Sequence, residues 1–182
     1  TTVTALTTAL LQRCKVDVAM AGNIGPTLLD TLTQRMQTQL PQVWVLELSS
    51  FQLNDAPGFE PSAATVLNLT QDHLDWHGDM AAYAAAKGRI FGTRTLRVLR
   101  RDDASVAQWM VQPVAPRRNE PATEVPACIT FGPDVPRRHG DYGLEEVNGM
   151  TWLVRALPAD ETLKRKKGEE EEVFLQRLMP AD

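Results

Sequence analysis

Val43-Trp44-Val45-Leu46-Glu47-Leu48-Ser49-Ser50 is an apolar run interrupted only by a carboxylate and closed by two hydroxyls. It lacks the polar–apolar alternation of a strand with one wet face. It therefore predicts a β-strand covered on both sides, the pattern of a parallel sheet. Shorter apolar runs at residues 16–20, 63–69 and 95–99 predict further strands. Helical spacing covers residues 4–11, 27–39, 80–91 and 103–111, with Pro26 suited to the first position of the second helix. Strands alternating with helices predict an α/β fold, a mainly parallel sheet flanked by helices.

Charge is unevenly spread, with 13 charged side chains in residues 1–91 and 29 in residues 92–182. The first half is expected to be the more buried. Beyond about residue 112 the pattern loosens. Six prolines between Pro113 and Pro136 mark loops around a strand at residues 127–131. Residues 141–144 and 151–155 flank Asn148-Gly149, a two-residue hairpin turn, so a small antiparallel region is expected toward the C-terminus. Lys164-Arg165-Lys166-Lys167-Gly168 and the glutamates after it read as a solvated loop.

A net charge of −4 gives no reason to expect nucleic acid. It leaves any anionic substrate to local groups rather than a global field. Cys14 and Cys128 lie too far apart in sequence to suggest a disulfide framework or zinc site, which favours a reducing compartment. No apolar run approaches the roughly 20 residues that span a bilayer, so no membrane association is expected.

Ligands in open α/β sheets bind beyond the carboxyl ends of the strands. Asn23, then Glu47 with Ser49 and Ser50, then Asp72 and His73 each follow a predicted strand. Glu47 is either an edge glutamate facing water or a ligand for Mg²⁺, which takes a few oxygen ligands. Asp72 and His73 either cap a helix or bind metal. His77 is as readily a surface residue as a ligand. Lys87 shares a helical face with Met80, Tyr83, Ala84, Ile90 and Phe91. It either snorkels or enters a pocket to meet phosphate or to be modified. Asn23 could serve a turn. Ser49 and Ser50 lack the flanks and neighbouring base of a nucleophilic serine. Thr1-Thr2, running directly into a helix, resembles the end of a phosphate-binding loop just after its lysine.

Thr1-Thr2-Val3-Thr4, Gly22-Asn23-Ile24-Gly25, Leu46 to Leu53, Leu67 to Asp75 and Ala85-Ala86-Lys87-Gly88-Arg89-Ile90 stand in the order found in Mur ligases. The chain resembles the central ATPase domain of that family, densely to about residue 103 and more loosely to 182. The Ser49-Ser50-Phe51-Gln52-Leu53 run is most similar to the D-glutamate-adding branch. The resemblance implies ATP and Mg²⁺ as cofactors, and UDP-N-acetylmuramoyl-L-alanine and D-glutamate as substrates of a monomeric cytoplasmic enzyme. It implies that Thr1 and Thr2 lie at the nucleotide and that Thr1 and Glu47 hold one Mg²⁺. A second would be held by His73 and a carbamylated Lys87, while Asn23, Ser49 and His73 line the substrate. Glu47, His73 and Lys87 would then face one crevice.

The Gly-rich phosphate loop is absent from residues 1–182. The chain alone is therefore expected to lack ligase activity, and its sheet to expose an apolar edge prone to association. A folylpolyglutamate synthase-like ligase shares the chemistry but not the Ser-Ser-Phe-Gln-Leu run. A metal-dependent hydrolase would instead use Asp72, His73, Asp75 and His77 around one metal, and a non-catalytic interaction module is the third alternative.

Overall fold

Five residue pairs in parallel register join Val18–Gly22 (β1) to Val43–Glu47 (β2). The computed structural model describes residues 1–110, 128–159 and 172–181. The chain divides into two compact units, Thr1–Ala56 and Pro57–Asp182.

In the first unit, Thr2–Arg13 (α1), Leu28–Met36 (α2) and Ser50–Asn54 (α3) accompany the strand pair. β1 starts two residues later than its apolar run suggests. Pro26 is not the first residue of α2. Thr27 is the N-cap, its hydroxyl accepting from the Asp30 amide, and Pro26 stands outside the helix. A threonine with an acidic residue three positions on is a cap signal that outranks the proline. The helix α3 was not expected from the sequence.

The second unit is a six-stranded sheet in the order β3-β4-β5-β6-β7-β8. Its strands are Ala63–Val66 (β3), Leu96–Arg100 (β4), Cys128–Phe131 (β5), Tyr142–Val147 (β6), Met150–Pro158 (β7) and Val173–Pro180 (β8). β3 to β6 run parallel, and β6 to β8 antiparallel. The expected mainly parallel α/β sheet with a C-terminal antiparallel part is thus present. Asn148 and Gly149 both take positive φ, 53° and 76°, the two-residue turn that matches strand twist.

Leu74–His77 (α4) and Met80–Gly88 (α5) lie between β3 and β4. α5 ends at Gly88, so Ile90 and Phe91 belong to the turn that follows rather than to the helix. Residues 103–110 form turns and one 3-10 segment, Ala107–Trp109, instead of the expected helix. Asp103 explains the difference, since its carboxylate takes both the amide and the hydroxyl of Ser105 and locks a turn. Val111, the prolines from Pro113 to Pro126 and the charge block 164–171 lie outside the described residues.

Ala64, Val66, Phe91, Leu99 and Val106 form the core of this unit, with Ile90, Trp109, Met110 and Cys128 packed against it. β5 and β6 share only the pair Phe131 and Tyr142. Asp141, 5 % exposed, reinforces that sparse ladder. It accepts the Thr130 amide at 2.7 Å and pairs with Arg138, whose guanidinium also reaches the Cys128 carbonyl. Arg101 fixes the approach to β6 in the same way, donating to the Asp134 carboxylate and carbonyl and to the Tyr142 carbonyl. These charge-assisted bonds replace part of the backbone ladder.

Between α5 and β4 the chain turns on Glu60. Its carboxylate accepts the amide and hydroxyl of Thr93 at 2.8 and 3.0 Å. The Thr93 amide is the main reason its carboxyl is held below the ordinary value of 4.5. A lowered carboxyl contributes stability that is present above that ordinary value and is lost as the pH falls through the lower folded value. Glu60→Gln should flatten acid unfolding in the window below 4.5 while leaving the near-neutral transition shape intact. An acid titration followed by circular dichroism checks this, and an unchanged acid limb would remove Glu60 from the account. Leu99 is fully buried, so Leu99→Ala should cost about 2–5 kcal/mol. Urea unfolding of the two chains reads that loss directly, and equal midpoints would mean the core lies elsewhere.

Candidate functional site

Glu47 is the last residue of β2, and its side chain is 24 % exposed. A carboxylate so withdrawn from water needs a partner. The hydroxyl of Thr1 donates to Oε1 at 3.4 Å. The amino nitrogen of Thr1 stands 2.6 Å from Oε2. That charge-assisted contact gives Oε2, which is shielded from solvent, its partner. The amino group is the strongest influence holding the Glu47 carboxyl below its ordinary value. Burial opposes it, and the hydroxyls of Thr1 and Thr4 act in the same sense as the amino group.

Backbone packing brings Asn23 to the same place. Its amide donates to the Glu47 carbonyl at 2.6 Å. Gly22, with φ of 124°, lies so close to that carbonyl that a Cβ would run into it. Only glycine lets the end of β1 approach β2 in this way. Thr1, Asn23 and Glu47 therefore gather at the carboxyl ends of two parallel strands, and Thr2 opens α1. Thr4 and its hydroxyl went unnoticed in the sequence, although its position one turn into α1 follows directly from that helix.

Ser49 has a structural task. It is the N-cap of α3 in a complete capping box, in which its hydroxyl accepts the Gln52 amide and Gln52 Oε1 accepts the Ser49 amide. The signal was readable as Ser-x-x-Gln after a strand. The most diagnostic run of the chain is thus also a helix start, in which Gln52 completes the cap.

In the second unit, β3 leads into His73, which sits at the N-cap of α4 with φ of 52°. Left-handed geometry in a non-glycine residue is uncommon and calls for restraint by its surroundings. Asp72 supplies some, since its Oδ1 accepts the His73 amide at 2.9 Å and its Oδ2 lies 3.2 Å from Nε2. Asp72 therefore binds His73 rather than capping the helix itself. Between β3 and β6 the rim opens into a cleft lined by Leu67, Asn68, Arg100, Phe131, Pro133 and Leu144.

Lys87 is in the last turn of α5, half-buried on the face that carries buried Tyr83 and Ala84. Its Nζ rests 5.2 Å from the centroid of the Tyr83 ring. Tyr83 was grouped with Lys87 as an apolar neighbour, but the contact itself follows from the spacing of four residues on a helix. Gly88 admits the Trp109 indole, whose Nε1 would lie 2.6 Å from an added Cβ.

Among the described residues no group of three or more His, Cys, Asp or Glu is arranged to hold a metal. That counts against the hydrolase alternative, for Asp72 and His73 turn to each other while His77 turns to aromatic rings. A site of mixed donors is a different case. The Thr1 hydroxyl and the Glu47 carboxylate offer oxygens, the donor type a hard cation takes. Lys87 as an ammonium is only a donor and does not fit one. No helix among the described residues is long and apolar enough to cross a membrane.

Comparison with known proteins agrees with this geometry. Residues 1–118 match the Mur ligase middle domain. Over 183 residues the whole chain is 62 % identical to the UDP-N-acetylmuramoylalanine–D-glutamate ligase of Albidiferax ferrireducens, covering 36 % of that protein. A ligase of the same name from a Polaromonas species is 62 % identical, with 31 % of it covered. The one from Burkholderia thailandensis is 52 % identical over 192 residues, with 37 % covered. The chain spans about a third of the length of these relatives. With the family's middle domain matched over residues 1–118, the chain belongs to the Mur ligase family.

Proposed function

We propose that this chain is the central part of a cytoplasmic ATP-dependent ligase that joins D-glutamate to UDP-N-acetylmuramoyl-L-alanine in peptidoglycan precursor synthesis. The observation that carries the reading is the half-buried Glu47 carboxylate at the carboxyl end of β2, with the Thr1 hydroxyl donating to it. The names of the relatives supply the substrates.

In this reading, Thr1 and Glu47 hold one Mg²⁺, and His73 with a carbamylated Lys87 holds the second. Carbamylation turns the Lys87 donor into an oxygen acceptor, which resolves the misfit of its ammonium. Bound Mg²⁺ would neutralise charge on the transferring phosphoryl group and orient the acceptor. Thr2 borders the nucleotide, while Asn23, Ser49 and His73 line the UDP-sugar substrate. The alanine carboxylate attacks the terminal phosphoryl of ATP, releasing ADP and forming an acyl phosphate. The D-glutamate amine then adds to that carbonyl, loses its proton, and phosphate leaves as the amide forms.

Lys87→Ala in the full-length ligase should lower the rate at least about a hundredfold, the usual scale for a group that stabilises transferring charge. Formate or acetate should restore part of it by standing in for the carbamate. Steady-state phosphate release checks both, and a fully active variant would remove Lys87 from the chemistry. The 182 residues alone should release no phosphate in a manner dependent on ATP and D-glutamate together.

A further inference from the structure

We propose that His77 is a positioning residue for Lys87, acting through the Tyr83 ring. A lysine side chain has four rotatable carbons, so Nζ goes where its surroundings hold it. Here the surface that holds it is the face of Tyr83, one helical turn earlier and 5 % exposed. Attraction of an ammonium to a ring depends on the ring presenting its face rather than its edge. A tyrosine ring turns readily about its last bond unless a neighbour restrains it.

His77 supplies that restraint. Its ring lies 5.2 Å from the Tyr83 ring, inclined at 60°. The Trp76 ring lies 4.5 Å from the imidazole at 76°. Edge-to-face packing of this kind fixes relative ring orientation. His77 is in turn tied to the start of α4, since its amide donates to the His73 carbonyl at 3.0 Å. Gly78, with φ of 87°, ends α4 there, and Asp79 caps α5 through the Ala82 amide at 2.8 Å. One aromatic bridge thus spans the two helices, from the turn that carries His73 to the turn that carries Lys87. The bridge holds the unmodified ammonium, the state that precedes carbamylation in the function proposed above, on which its consequence for catalysis rests; the bridge itself does not rest on it.

The test is the resonance of the Lys87 ε-methylene in the chain labelled with carbon-13 lysine, assigned by its disappearance in Lys87→Arg. Over the Tyr83 face it should stand upfield of the Lys15 signal. Tyr83→Leu should return it to the ordinary lysine position. His77→Ala should move it most of the way there, and His77→Phe, which keeps a ring at the same edge, should restore the upfield shift. Amide spectra of each variant establish that the fold is retained. An unshifted Lys87 signal in the unaltered chain, or one indifferent to His77→Ala, overturns the proposal. A parent ligase that proves inactive while the Lys87 signal behaves as stated counts against the proposed function and leaves the bridge standing.

Discussion

A charge at the end of an apolar strand is the constraint around which the first unit is arranged. β2 carries Glu47 to the rim, and three-quarters of its side chain is taken out of water. Burying a carboxylate is costly unless positive charge or hydrogen-bond donors meet it. Everything nearby answers that cost. α1 begins beside it, Thr1 and Thr4 turn hydroxyls to it, and the Gly22 backbone closes so tightly that the Asn23 amide reaches the Glu47 carbonyl. The Thr1 amino group meets the other oxygen at 2.6 Å.

The second unit handles polar groups differently. Where its strand ladder thins between β5 and β6, Asp141 and Arg138 take over from backbone pairing. Where the chain turns into β4, Glu60 gathers the amide and hydroxyl of Thr93. Those groups are satisfied and structural. His73 and Lys87 stand out in another way. One is held in left-handed geometry, and the other is a charged residue placed on the packed side of a helix. Strain and burial of charge collect at functional sites because a purely structural position rarely repays them.

Much of this was legible in the chain. Apolar runs located β2, β4 and β5, because strands packed in a parallel sheet need little polarity. Asn148-Gly149 marked its hairpin, because both residues tolerate positive φ. The remainder failed for identifiable reasons. Asp103 could serve a helix or a turn, and its bonds to Ser105 decide for the turn. Val173–Pro180 mixes Gln176 and Arg177 with apolar residues and lies at a sheet edge, mostly exposed, so neither periodicity is clean. The Ser49–Gln52 capping box was present in the letters but obscured by their chemical interest. Glu47, His73 and Lys87 could be picked out as residues at odds with their surroundings. The Tyr83 ring beneath Lys87 was legible only as a spacing of four residues, since the orientation of the two side chains is settled by packing from elsewhere.

The most direct measurement follows oxygen atoms. The full-length protein containing this chain is given UDP-N-acetylmuramoyl-L-alanine with heavy oxygen in its terminal carboxylate, together with ATP and D-glutamate. Ligation through an acyl phosphate transfers one labelled oxygen to the released phosphate in each turnover and leaves the other in the amide. Phosphate free of label, with amide still formed, would contradict the account at its centre.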